Sequence, residues 1–171
     1  MKTTLATRAL TAADAGKFKA IRMLAAETSP AAIWPTYEEE ARKPVEAVAA
    51  RIAPTDTLTV YGAFDSGALV GIAGVRREPL AKIAHKATIW GVFVDPGYRR
   101  QGVAQDLLRA TTEHAVREWH SAQLVLCVNA ENTAAKALYV SLGFSTFGVE
   151  PRALFVDGRF YDEEHMYKAL R

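Results

Sequence analysis

The stretch Val92-Phe93-Val94-Asp95-Pro96-Gly97-Tyr98-Arg99-Arg100-Gln101-Gly102-Val103-Ala104-Gln105-Asp106-Leu107-Leu108 constrains this chain more than any other. An apolar run stops at a proline, two arginines follow, and a glycine stands at the head of a helical pattern. A helix start exposes unpaired N–H groups and a partial positive charge. Small residues there let an anion reach the backbone, so Gly102 and Ala104, with Arg99 and Arg100 beside them, read as a phosphate cradle. The Gly-Lys-Ser/Thr ending of a Walker loop is missing, and so are the three spaced glycines of a dinucleotide fingerprint. A strand handing over to such a helix puts both element types in one fold.

The rest of the chain agrees. Thr57–Phe64 and Ala68–Glu78 read as strands around the tight-turn signal Asp65-Ser66-Gly67. Lys86–Val94 is apolar almost throughout, as in a strand covered on both faces, and Gly91 inside it invites a bulge. Gln101–Trp119 reads as a helix with Val103, Leu107, Leu108, Ala115 and Val116 as its apolar stripe. A strand (Ala122–Asn129), a helix (Asn132–Leu142, stopped by Gly143) and a closing hairpin about Asp157-Gly158 follow. Two helical segments come first, Thr11–Glu27 and Thr36–Ile52, with Pro44 set to bend or delay the second. The order is that of an α/β chain with a mixed sheet, and 171 residues fit one domain, 1–171.

Composition removes several functions. The formal net charge of +2 is too small to mark a nucleic-acid binder. The single cysteine, Cys127, excludes an internal disulfide and a thiolate metal cluster, and it reads as core filling in a buried strand. No apolar stretch approaches the roughly 18 residues of a membrane span, and the N-terminus lacks a signal core. The expectation is a cytoplasmic enzyme without nucleic-acid or membrane partners and without a metal; a homodimer stays open.

Arg99-Arg100-Gln101-Gly102-Val103-Ala104 is similar to the Arg/Gln-x-x-Gly-x-Gly/Ala pattern of the GNAT superfamily of N-acetyltransferases. Asn132, Ala135, Leu138, Tyr139, Gly143 and Phe144 match that family's second signature, Asn-x-x-Ala-x-x-Leu-Tyr-x-x-x-Gly-Phe. The resemblance implies an α/β fold of α+β type. Its mixed central sheet would have about seven strands, with two N-terminal helices, a splayed central strand pair and helices on both faces. It also implies acetyl-CoA as co-substrate. The pantetheine arm would lie along Val92, Phe93 and Val94 as an added strand does. The pyrophosphate would sit on the amides of Arg100, Gln101, Gly102, Val103, Ala104 and Gln105, with Arg99 nearby and Asn132 and Ala135 beside the arm. By the same resemblance the Tyr139 hydroxyl faces the sulfur and protonates the departing thiolate.

The base is open between Glu78 and His85, which flank the entrance to the strand Lys86–Val94 in a stretch that also reads as solvated connection. His114 and His120, around a helix end, read as surface, and His165 falls in the last strand region. Trp34 and Tyr37, in a connector stiffened by Pro30 and Pro35, read either as a wall of the acceptor pocket or as core packing. The acidic run Glu38–Glu40 fits a cationic substrate or a solvated helix face. The expected activity is acetyl transfer to a primary amine, of a small molecule first, by direct attack in a ternary complex. A protein N-terminus or lysine is the alternative acceptor, and a silent acyl-CoA-binding regulatory domain the alternative function.

Overall fold

The computed structural model describes residues 5–171. Seven strands form one sheet: β1 (Ala6–Ala9), β2 (Leu58–Asp65), β3 (Ala68–Arg77), β4 (Lys86–Val94), β5 (Gln123–Asn129), β6 (Ser145–Val156) and β7 (Arg159–Ala169). Their spatial order is β1-β2-β3-β4-β5-β7-β6. The β2–β3 and β6–β7 hairpins close through two-residue turns, Ser66-Gly67 and Asp157-Gly158, with both residues of each at positive φ. Turns of that kind match the twist of the flanking strands. Every pairing is antiparallel except β4 with β5, where a helical crossover intervenes and the strands run parallel.

The helices are α1 (Ala15–Thr28), α2 (Tyr37–Arg42), α3 (Val45–Ile52), α4 (Val103–Arg117) and α5 (Thr133–Ser141). The second expected N-terminal helix is therefore two. Pro44 cannot donate into a continuing helix, so α2 ends at Arg42 and the proline caps α3 instead. Lys19 of α1 secures the break, donating to the carbonyls of Ala41 and Lys43 at 2.7 and 2.8 Å. α4 begins two residues later than the sequence pattern implies, because Gly102 has φ +84° and lies outside helical space. Its stripe stops at Ala115: Val116, one step further round, is 42% exposed, while Trp119 past the helix end is buried.

The two faces of the sheet carry separate layers. α1 and α3 cover Val60, Phe64, Ile72 and Phe93 on one face. α4 covers Ala63, Val70, Ala73 and Val94 on the other, and Gly71 admits it: a Cβ there would meet Val103 and Leu107 at 2.9 and 3.0 Å. Leu108, Leu126, Tyr139, Phe144 and Met166 extend the core on the α4 side. Gly91, at φ +63°, makes the expected bulge: Gly74 opposes Trp90 and Ile72 opposes Phe93, so two steps on β3 span three on β4. The extra residue brings Trp90 and Phe93 to the same face, toward α1 and α3.

β4 and β5 pair only at Lys86–Gln123, Ala87–Leu124 and Thr88–Val125. Beyond those positions the two strands diverge, and a cleft opens through the middle of the sheet between Ile89–Val94 and Leu126–Asn129.

Candidate active site

The cleft is headed by the β4–α4 connection. Asp95 accepts from the Gly97 N–H at 2.8 Å and sets a short turn over Pro96–Tyr98. Arg99 folds back, its Nε donating to the Val94 carbonyl at 3.1 Å and Nη2 to Ser29 Oγ at 3.3 Å. Arg100 and Gly102 both take positive φ, +62° and +84°. A Cβ on Gly102 would meet nothing within 4 Å, so the glycine serves the backbone conformation and the space above it is open. Open space, unpaired helix N–H groups and the exposed Arg100 suit an oxyanion.

A cavity of about 960 Å³ runs from this loop through the splay to the face under α1 and α3. Of the residues the sequence assigns to the cofactor, Val92, Phe93, Val94, Arg99, Arg100, Gly102, Val103, Ala104, Gln105, Asn132, Ala135 and Tyr139 all line it. Gln101 does not; its amide donates to the Gly97 carbonyl at 3.2 Å. Asn132 also caps α5, accepting from the Ala135 N–H at 3.1 Å.

Tyr139 comes from α5, its ring buried edge-on to Phe144, and its hydroxyl has no hydrogen bond among the described residues. Burial, then the neighbouring Cys127, pushes that hydroxyl up to about 12, so it stays protonated near neutral pH. Cys127 and Asn129 alternate with core-facing Leu126 and Val128 along β5. Glu163 of β7 sits opposite Asn129 and is buried, though it lines the cavity. The Cys127 thiol is raised to about 11 by burial and by the Glu163 carboxylate beside it, so it is no nucleophile. Trp34 Nε1 donates to Glu163 Oε1 at 3.1 Å, and Asn129 Nδ2 donates to the Ala31 carbonyl at 2.9 Å. The connector after α1 is thereby fastened across the cavity mouth.

The two residues between which the sequence left the base open lie elsewhere. Glu78 follows the end of β3 and His85 precedes β4; neither lines the cavity, and the His85 carbonyl accepts from the Ala122 and Gln123 N–H groups at 2.8 and 3.3 Å. Tyr37 opens α2 and also lies off the cavity, whereas Trp34 lines it while 70% exposed, which a core role does not allow. His114 is not a surface residue: it lies half-buried between Thr59 and Tyr61, at 3.2 and 3.1 Å, and burial lowers its pKa. His120 is exposed, and His165 meets Glu150 at 3.1 Å. Two members of the acidic run are engaged locally, and Glu38 is exposed. Glu39 completes a capping box with Thr36, and buried Glu40 takes Arg22 and Lys43 at 3.0 and 3.1 Å.

Sequence reasoning missed Glu163 and the arginines of the cavity, Arg22, Arg51 and Arg76. The β7 alternation gives no warning, because Glu163 stands among charged neighbours in Asp162-Glu163-Glu164-His165. Only its pairing with Asn129, across a sheet whose order is not sequential, sets it in the cleft.

Comparison with known proteins places the whole architecture. The model of the acetyltransferase (GNAT) family matches residues 5–144. The [ribosomal protein bS18]-alanine N-acetyltransferase of Escherichia coli K12 is 44% identical over 66 residues, 37% of this chain and 42% of that protein, so the match spans under half of the relative's length. Among solved structures, an acetyltransferase of the GNAT family from Streptococcus pneumoniae superposes with a TM-score of 0.87 at 23% identity, covering 98% of this chain and all of that one. Salmonella typhimurium yncA, solved with its cofactor acetyl-CoA, has a TM-score of 0.82 at 23% identity over 98% of this chain and 95% of its own. These structural likenesses bear on fold. With the family match over most of its length, and with both signature segments meeting at one cleft, the chain belongs to the GNAT family of acetyltransferases.

Proposed function

We propose that the chain transfers the acetyl group of acetyl-CoA to the primary amine of a small molecule, both substrates being bound together. The observation that carries this reading is the continuity of the cavity: one space joins the glycine cradle at α4 to an acceptor pocket, with Tyr139 at one wall and Glu163 at another. The cradle fits a pyrophosphate, and the cleft edge of β4, unpaired beyond Thr88, fits a pantetheine arm. Acetyl-CoA supplies the activated acetyl thioester. Glu163 takes a proton from the acceptor's ammonium, freeing its lone pair for attack, and the Tyr139 hydroxyl gives a proton to the departing thiolate. The acyl carbon exchanges a C–S bond for a C–N bond; the nitrogen then gives up its second proton, which replaces the one Tyr139 lost, and the proton held by Glu163 passes to solvent. Burial keeps Tyr139 charged with its proton for that step.

A second reading, acetylation of a protein N-terminus, draws on the E. coli relative's name as an alanine N-acetyltransferase of a ribosomal protein. The Trp34–Glu163 tie across the mouth favours the small acceptor, since a polypeptide needs an open groove. Thiol release from acetyl-CoA over a panel of free amines and of peptides with N-terminal alanine tests this. Turnover of small amines supports the proposal; turnover of peptides alone replaces it with the second reading.

A further inference from the structure

The acceptor end of the cavity is cationic. Arg22 of α1, Arg51 of α3 and Arg76 of β3 all line it, against a single lining carboxylate among the described residues, Glu163. The arginines converge for a structural reason. Leu58, Arg76 and Thr88 form a cross-strand row on β2, β3 and β4, and alternation puts Arg76 on the face of Gly74, the face that carries the Trp90 ring. Arg51 descends from α3 onto that ring, 5.2 Å from its centroid. Arg22 reaches down from α1 until its Nη1 would lie 3.3 Å from a Cβ on Gly91, so the glycine of the bulge makes room for it.

Little inside the protein offsets this charge. Arg22 spends Nε and Nη2 on Glu40, at 3.1 and 3.0 Å, and its Nη1 has no bond among the described residues. Glu40 is shared with Lys43. Arg51 and Arg76 have no carboxylate within ion-pair distance among the described residues. Burial, followed by the repulsion of Arg51, pulls Arg22 below its ordinary value even with Glu40 in contact. Arg76, paired with Thr88, is also remote from the cradle at Arg100: Thr88 and Val94 are six residues apart on β4, roughly 20 Å at strand rise.

We infer that the acceptor carries an oxyanion as well as its amine, and that its class is the free amino acid, with the carboxylate held by Arg51, Arg76 and Arg22 Nη1 while the amine faces Glu163. The inference rests on the transferase reading above and narrows it. A planar guanidinium binds a carboxylate through two parallel N–H bonds, which fixes the direction of the substrate as well as its charge. The same cations repel polyamines, and a protein N-terminus has no free carboxylate near its amine.

Matched acceptors test this: an amino acid, its carboxamide, the amine lacking the carboxyl group, and a peptide with N-terminal alanine, each assayed by thiol release. The free acid is expected to exceed its carboxamide in kcat/KM by roughly 10–100-fold, the usual value of charge-assisted bonds. Arg76→Gln is expected to raise KM for the acid and erase most of that preference, with Arg76→Lys restoring part of it. A readout independent of turnover is the Tm rise given by the N-acetylated acid, which should exceed that given by its amide and shrink in Arg76→Gln. Equal use of acid and carboxamide, or a preference unchanged in both Arg76→Gln and Arg51→Gln, overturns the inference and leaves the transferase reading standing. Absence of thiol release with every amine and peptide overturns that reading and this one with it.

Discussion

Trp34 Nε1 donates to Glu163 Oε1 at 3.1 Å, joining residues 129 positions apart in the chain across the mouth of one cavity. The bond has an exposed ring on one side and a buried carboxylate on the other. Trp34→Ala should therefore raise the acceptor KM several-fold and lower stability by about 1–3 kcal/mol, the cost of leaving the buried Glu163 carboxylate without its donor. Thermal melting separates this from core packing, where losing a buried aromatic costs about 3–5 kcal/mol.

Glu163→Gln keeps the bond to Trp34 and removes the proton acceptor. Turnover should fall roughly 100–10,000-fold, the range for a lost general base. The residual rate should then climb with pH, because solvent alone must deprotonate the acceptor's ammonium. A variant with wild-type turnover and an unchanged pH profile would remove Glu163 from the chemistry.

Tyr139→Phe retains the packing against Phe144 and deletes the hydroxyl. A fall in turnover of about 100–10,000-fold, the range for a lost general acid, with acetyl-CoA affinity unchanged, is expected. The sign of the pH effect follows from burial: the hydroxyl, held at about 12, keeps its proton below that value. Wild-type activity should thus show no alkaline loss from this residue up to about pH 10, readable as a plateau in the kcat profile.

Gly102→Glu fills the open space over the cradle with a like charge. Calorimetric titration with acetyl-CoA should show at least a tenfold weaker complex. Gly102→Ala brings no clash, since nothing lies within 4 Å, but it places a Cβ at φ +84° and should cost about 1–2 kcal/mol.

Acid stability should depend on Asp14. Its bond to Arg8 at 2.8 Å and the Thr11 N–H hold this carboxyl, against the effect of burial, down at about 2. A depressed carboxyl stabilises the fold above its ordinary value and loses that contribution as pH falls toward the depressed one. Asp14→Asn should flatten the decline in Tm between about pH 4 and pH 2; an unchanged slope would assign acid unfolding to other groups such as Glu40, whose pKa is also lowered.

The segments at the head of the cavity were legible because each is contiguous: Arg99–Gln105 is a loop running into α4, and Asn132–Phe144 is α5 with its two flanks, so a resemblance carried by spacing finds both. Hairpin turns were legible for the same reason, as Ser66-Gly67 and Asp157-Gly158 act locally. The acceptor half was not, since Arg22, Arg51, Arg76 and Glu163 come from four elements and meet only through sheet order and the β4 bulge. Glu78 and His85 looked plausible as bases from their nearness to β4 in sequence, but they flank the paired end of the strand, away from the splay. His114 deceived in the opposite direction: its place near a helix end hid the polar pocket of Thr59 and Tyr61.

Three paired positions are all that join β4 to β5, so the sheet is stitched at one end of its central seam and unlaced at the other. In an ordinary sheet the middle strands are the slowest to exchange their amide hydrogens, and the rims the fastest. Here the order is inverted locally: the amides of Ile89–Val94 that point away from β3 meet the cleft rather than a neighbouring strand. The most solvent-labile hydrogens of the sheet's interior should lie along its centre line, and an occupant of the cleft would silence them like a missing eighth strand.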